Sequence, residues 1–193
     1  MEGQIKEITS KDAADCISKC KSIIVVPGYG LAAGKAQHAI SAIAKLLRKH
    51  GINLRFAIHP VAGRLPGHMN VLLAEARVPY DIVLPMDAIN DDFPETDLAI
   101  ALGANDIVNP SAPDNPNTPI AGMHIFECWK AKHVIVIKRG QGTGRSGVEN
   151  PLFFKENTRM LYGNSRTVCE TLLSDLNEIF GEDAGTVKAK SVC

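Results

Sequence analysis

The chain has 193 residues, and 21 Lys and Arg balance 21 Asp and Glu, so its formal net charge is zero. Hydrophobic residues make up 45% and charged residues 22%, an ordinary globular balance for one domain with a full core. There is no basic stripe with interleaved aromatics for nucleic acid, no run of about 18 apolar residues for a membrane span, and no signal-peptide apolar region at the start.

Residues 1–20 read as an N-terminal extension or linker. Within them Cys16 and Cys20 stand four residues apart on a short predicted helix. With Cys128, Cys169 and Cys193 they make five cysteines, an odd count that suits a reducing compartment. No second Cys/His pair follows at zinc-finger spacing, so no metal site is expected.

The main domain is expected over residues 21–180, beginning with the apolar run Ile23–Val26. It ends in Gly28-Tyr29-Gly30-Leu31-Ala32-Ala33, a G-x-G-x-x-A turn leading into a helical pattern. That strand–turn–helix context is what a dinucleotide fingerprint requires. In such a turn Gly28 serves the tight bend, Gly30 the approach of a phosphate, and Ala33 close packing of helix on strand. The helix N-terminus offers N–H groups to an anion. Apolar residues then repeat at helical spacing over Lys35–His50.

Further strand-like runs are Leu54–Ile58, Ile82–Pro85, Leu98–Leu102, His133–Lys138 and Arg159–Tyr162. Several are apolar throughout, as parallel strands covered on both faces are. A helix is predicted over Met69–Val78. A clearer one runs from Val168 to Phe180, with Asn164 or Ser165 as its cap. Asn109–Pro119 holds four prolines and reads as a long structured loop between the fourth strand and a following helix. Residues 181–193 read as a flexible tail or linker.

Strands alternating with helices predict an α/β fold: a doubly wound, six-stranded parallel sheet, Rossmann-like, in the order 3-2-1-4-5-6, with helices on both faces. Ligand then sits at the carboxyl ends of the strands, where four informative loops gather.

The second strand ends Ala57-Ile58-His59-Pro60, without the carboxylate that holds an NAD ribose. This favours NADP(H). Spacing alone would put its 2′-phosphate near His59 and Arg64. The loop Lys138-Arg139-Gly140-Gln141-Gly142-Thr143-Gly144-Arg145-Ser146-Gly147 is a second candidate, because glycines expose N–H groups and Arg grips phosphate with a fork. In Gly103-Ala104-Asn105-Asp106-Ile107, Asp106 is a candidate for proton chemistry or a turn-forming residue.

Taken in order, PGYGLAAGKAQ, FAIHPVAGRLPGHMNVLLAEA, MDAINDDFPETD, GANDIVNP, PIAGM, IVIKRG and GVENPLFFKENTRMLYG resemble domain III, the NADP(H)-binding component of proton-translocating NAD(P) transhydrogenase. The resemblance implies hydride exchange between NADP(H) here and NAD(H) on a partner, domain I. A transmembrane domain II, absent from this chain, couples the exchange to proton translocation. It implies a soluble domain of a membrane-bound enzyme, on the bacterial cytoplasmic or the mitochondrial matrix side. It also implies an enzyme of the Si-specific, proton-translocating type that is inactive without its NAD(H)-binding partner.

The resemblance further implies a reversed NADP(H) pose, with the adenosine end toward the fifth-strand loop. Carried over, Gly28 to Ala33 form the fingerprint turn, and Val61, Ala62, Gly63, Arg64, Leu65 and Pro66 a second cofactor loop. Gly103 to Ile107 lie near the nicotinamide. Gly122 and Met123 make a further contact. Lys138 and Arg139 meet the 2′-phosphate, Gly140 to Arg145 form a lid, and Asn164 and Ser165 close the site. Asp106 and His59 are the candidates for proton-linked control of the bound ring. Asp87, Asn90 and Asp91 belong to the region tied to the partner. The chain departs from the family at Gly140, Arg145 and Asn164, where Ser, Tyr and Asp are usual. The competing reading is a stand-alone flavin- or nucleotide-binding module, electron-carrying or regulatory.

Overall fold

A computed structural model of the chain describes residues 3–61, 67–144 and 146–182. Ala62, Gly63, Arg64, Leu65, Pro66 and Arg145 of the expected site lie outside the described residues, as does the tail from 183 onward.

Six strands form one parallel sheet: β1 (Ser22–Pro27), β2 (Asn53–Ile58), β3 (Val83–Pro85), β4 (Leu98–Leu102), β5 (His133–Lys138) and β6 (Thr158–Tyr162). Their order is β3-β2-β1-β4-β5-β6, as predicted. The central strands are apolar because both faces are covered: all five residues of β4 are buried. In the register, Ile23 pairs with Leu54 on one side and Leu98 on the other.

The α-helices are α1 (Ser10–Lys19), α2 (Tyr29–Gly34), α3 (Gln37–Lys49), α4 (His68–Glu75), α5 (Met86–Ile89) and α6 (Ser165–Phe180). Right-handed crossovers put α3 and α4 on one face of the sheet. There α6 packs on α3 and on α1, whose Ala13, Ala14 and Ile17 are buried. Residues 6–8 also bond to the edge of β6, with the Ile8 N–H on the Met160 carbonyl at 2.9 Å. Among the described residues, the opposite face carries α5 and short 3₁₀ segments at Asn90–Glu95, Cys128–Lys130 and Pro151–Phe154. A small separate core of Ala112, Ile120 and Ile125 fills in beneath the proline loop.

The helix predicted over Lys35–His50 is α3, Gln37–Lys49. It starts two residues later than predicted because Lys35 takes a left-handed conformation (φ 56°) that ends α2, and the Ala36 N–H closes back on the Leu31 carbonyl at 3.0 Å. The helix expected after the proline loop is only the 3₁₀ turn at Cys128–Lys130. Four prolines remove donors and turn the connection, so too little chain remains for an α-helix before β5. The predicted cap of α6 is Asn164, whose side chain accepts from the N–H groups of Arg166 and Thr167.

Candidate functional site

The turns after β1 and β4 interlock where the sheet reverses direction. The Gly28 N–H donates to the Leu102 carbonyl (2.9 Å), and the Gly30 N–H to the Gly103 carbonyl (2.8 Å). A Cβ on Gly28 would lie 2.5 Å from the Ala104 Cα, and one on Gly30 would lie 2.6 Å from the Gly103 Cα. The glycines therefore let two backbones meet. Gly28 itself is extended (φ −124°, ψ −169°), so it is needed for that contact and not for its dihedrals. Ala33 is exposed and does not pack the helix on the strand. Gly34 instead packs α2 against the start of α6: its Cβ would strike the Ser165 Oγ at 2.1 Å, and this hydroxyl donates to the Gly30 carbonyl at 2.9 Å. Leu31 is wholly buried in the core.

Above this junction opens a cleft of about 620 Å³, lined by Gly28, Tyr29, Gly30, Val61, Gly103, Ala104, Asn105, Asp106, Ile107, Ile120, Met123, Thr143 and Gly144. It joins the fingerprint turn, the fourth-strand loop and the β5 loop, as the sequence suggests. Ile120 was not foreseen; it is brought in by the proline loop folding back. Gly122, at φ 72°, turns the chain so that Met123 reaches the wall.

The β5 loop is hooked to the β4 turn by side chains. Both carboxylate oxygens of Asp106 accept from Ser146, from its hydroxyl at 2.6 Å and its N–H at 3.0 Å. The buried Asn150 amide donates to the Asn105 carbonyl (2.9 Å) and its Oδ1 (3.1 Å), while its own oxygen accepts from the Leu152 N–H. Asn109 donates to the Glu149 carbonyl at 3.0 Å. Sequence reasoning included Ser146 only as part of the candidate glycine loop and gave neither it nor Asn150 a role of its own. Their signals were a hydroxyl in a glycine loop and an Asn-Pro dipeptide.

A smaller recess of about 60 Å³ lies behind the fingerprint turn, walled by Ala33, Gly34, Lys138, Arg139, Gly163, Asn164 and Ser165 among others. Lys138 is half-buried, and its pKa is pulled down by desolvation. Its ammonium touches the Gly142 carbonyl, and no carboxylate pairs with it among the described residues. A desolvated, uncompensated cation beside an exposed Arg139 suits a phosphate-sized anion. Gly140, Gln141 and Gly142 extend outward, and nothing lies within 4 Å of where a Cβ would stand on Gly140 or Gly142.

His59 is only 3% exposed. Its Nδ1 accepts the Val61 N–H at 3.1 Å, so Nε2 carries the hydrogen and donates to the His124 carbonyl at 2.6 Å. Phe126 meets the ring edge-on at 5.8 Å. Burial lowers the pKa of His59, opposed by the bond to His124. The ring is thus held neutral, and it lines neither opening above. Beside it lies a cleft of about 920 Å³ whose walls include Pro60, Tyr80, Met86, Asp87, Asn90, Asp91 and His124. Tyr80 there is 92% exposed.

Among solved structures the chain resembles a complex of a Sir2 homolog with NAD (TM-score 0.55, 11% identity, 91% of this chain and 97% of that one). It also resembles a Sir2 homologue mutant with 2′-O-acetyl ADP ribose (TM-score 0.53, 12% identity, 87% and 96%). These likenesses speak to the fold alone. The NAD(P) transhydrogenase subunit beta of Rhodospirillum rubrum is 47% identical over 173 residues, covering 90% of this chain. The chain spans 37% of that subunit's length. The family described as NAD(P) transhydrogenase beta subunit matches residues 1–175. Kinship of that depth, over nearly all of a chain folded in this way, makes it a member of the NAD(P) transhydrogenase beta subunit family.

Proposed function

We propose that this domain binds NADP(H) at the carboxyl ends of its strands and exchanges hydride with NAD(H) held on a partner domain I, with a transmembrane domain II coupling the exchange to proton movement. The observation that carries the reading is the half-buried Lys138 beside Arg139, without a carboxylate partner among the described residues, in a recess on the other side of the fingerprint turn from the cleft lined by Tyr29, Asp106 and Met123. The absence of an acid after β2 supports the phosphorylated cofactor.

NADP(H) supplies the nicotinamide carbon that gives or accepts hydride. The chain's own residues do the rest. Lys138 and Arg139 hold the 2′-phosphate. Asn164 and Ser165 close that end, and Ser165 also braces the fingerprint turn. Thr143 and Gly144 cover the cleft, held there by Ser146 on Asp106. Ile107, Ile120 and Met123 give the ring an apolar wall that excludes water. Asp106 places a carboxylate near the ring, which favours its cationic oxidised form. Hydride passes directly between two rings, so no protein acid acts in that step. Asp87, Asn90 and Asp91, with exposed Tyr80, form the face offered to the partner.

Titration calorimetry tests this. NADP⁺ should bind more tightly than NAD⁺, and Arg139→Ala should weaken NADP⁺ by roughly 10–100-fold, the worth of one charge-assisted phosphate contact. Arg64→Ala should weaken both cofactors alike. Equal affinity for NAD⁺ and NADP⁺ in the unaltered chain overturns the reading. Selective loss of the 2′-phosphate preference in Arg64→Ala overturns the reversed pose.

A further inference from the structure

We propose that Cys16 and Cys20 are a peroxide-reactive modification site, in which Cys16 is oxidised and Cys20 resolves it to an intramolecular disulfide at the end of α1. The pair lies apart from the cofactor cleft. Cys20 leads through Lys21 and Ser22 into the amino end of β1, whereas the cleft is at the carboxyl ends.

The geometry favours closure. The helix stops at Lys19, and Cys20 is already extended (φ −77°, ψ 151°), its N–H returning to the Ile17 carbonyl. Four residues of helical rise, about 6 Å, separate the two, within the roughly 4.4–6.8 Å that disulfides span between Cα atoms. Because Cys20 is outside the helix, its side chain can swing without breaking the helical ladder. It is folded back already: the Cys20 thiol donates to the Cys16 carbonyl at 3.2 Å. Both thiols are half-buried, while Cys128 and Cys169 are wholly buried.

The electrostatics divide the roles. The neighbouring Cys20 thiol brings the Cys16 thiol down to about 7, helped by Lys19 and opposed by burial and Asp15. The neighbouring Cys16 pushes Cys20 up, with burial and Asp97 adding and Lys132 opposing. Lys132 and Asp97 face the pair as an ion pair at 3.2 Å. Cys20, whose thiol donates to the Cys16 carbonyl, keeps its proton, which makes Cys16 the readier thiolate. Burial raises both Cys128 and Cys169, which leaves them unreactive.

The steps balance. The Cys16 thiolate attacks hydrogen peroxide, forming an S–O bond and breaking O–O; it becomes a sulfenic acid and hydroxide departs. Cys20 sulfur then attacks that sulfur, the S–O bond breaks, and the Cys20 proton leaves with the oxygen as water. Two thiols are oxidised by one peroxide, and a thiol reductant reverses the change.

The test uses the chain with Cys193→Ser, treated with hydrogen peroxide and followed by intact mass and peptide mapping. The expected product has lost two hydrogens through a 16–20 link, and dithiothreitol restores it. Cys20→Ser should stop with one oxygen on Cys16, trappable by dimedone, and Cys16→Ser should react at least roughly tenfold more slowly. Without any further substitution, iodoacetamide should label Cys16 first, with a rate half-maximal near pH 7. The proposal fails if Cys16→Ser oxidises as fast as its parent, if another cysteine is labelled first, or if the bond formed joins two chains.

Discussion

Glycines serve opposite ends in two neighbouring regions of this domain. At the junction of β1 and β4, Gly28, Gly30 and Gly103 are backbone against backbone, with no space for a methyl group. In the β5 loop, Gly140, Gly142 and Gly147 face open space, and the loop is held by Ser146, Asn150 and Asn109. One region is locked by its main chain, the other fastened by a few side chains. A rigid floor and a releasable cover are what a site needs if it must admit a ligand and then enclose it.

The largest contrast is expected between two alanine substitutions. Gly103 sits at φ 64°, and its Cβ would lie 2.4 Å from the Leu31 nitrogen. Gly103→Ala should cost about 3 kcal/mol or more, from overpacking and backbone strain together. Gly142→Ala should change stability by no more than about 0.5 kcal/mol. Urea melts of both decide it, and equal midpoints would erase the distinction between floor and cover.

Next in size is Asn150→Ala. It removes two bonds to Asn105 and the cap on Leu152 from a buried site, and about 2 kcal/mol of stability should go with them. Ser146→Ala is milder, because the backbone bond to Asp106 survives. About 1 kcal/mol is at stake, so the loop should open about fivefold more often. Trypsin cleavage at Arg139 and Arg145 reads this directly. Ser146→Thr, which keeps the hydroxyl, should restore slow cleavage; no change in either variant would mean that Asp106 does not fasten the cover.

The smallest effect concerns His59, a third fastener, which ties the chain at Val61 to His124. Its folded pKa lies below the unfolded value of about 6.5, so the unfolded chain binds the extra proton. Its contribution is therefore complete above that pH and is lost as pH falls toward the folded value. Between pH 7 and 6 the loss should stay under about 1 kcal/mol. The difference in urea midpoint between the unaltered chain and His59→Asn should shrink over that interval. A difference that stays constant would show that the ring is not held neutral.

The strands were legible because each is a short apolar run, and all six lie within a residue or so of where the sequence puts them. The sheet order followed from strand–helix alternation. What escaped is what depends on partners far along the chain. Gly34 is pressed against Ser165, at the far end of the domain's sequence. Ser146 and Asn150 find their partners 40 and 45 residues away. That Gly30 would also have Gly103 standing opposite it is not written in the local sequence.

The hydroxyl of Ser165 on the Gly30 carbonyl has a consequence for the order of assembly. The two residues are 135 positions apart. The fingerprint turn is made long before its brace emerges. Loop closure over that distance must precede it. Until α6 docks, the nascent domain has its sheet but not a finished floor for the cofactor. Binding competence should therefore arrive in one late step, and a chain stopped before residue 165 should fold much of its sheet and hold nucleotide poorly.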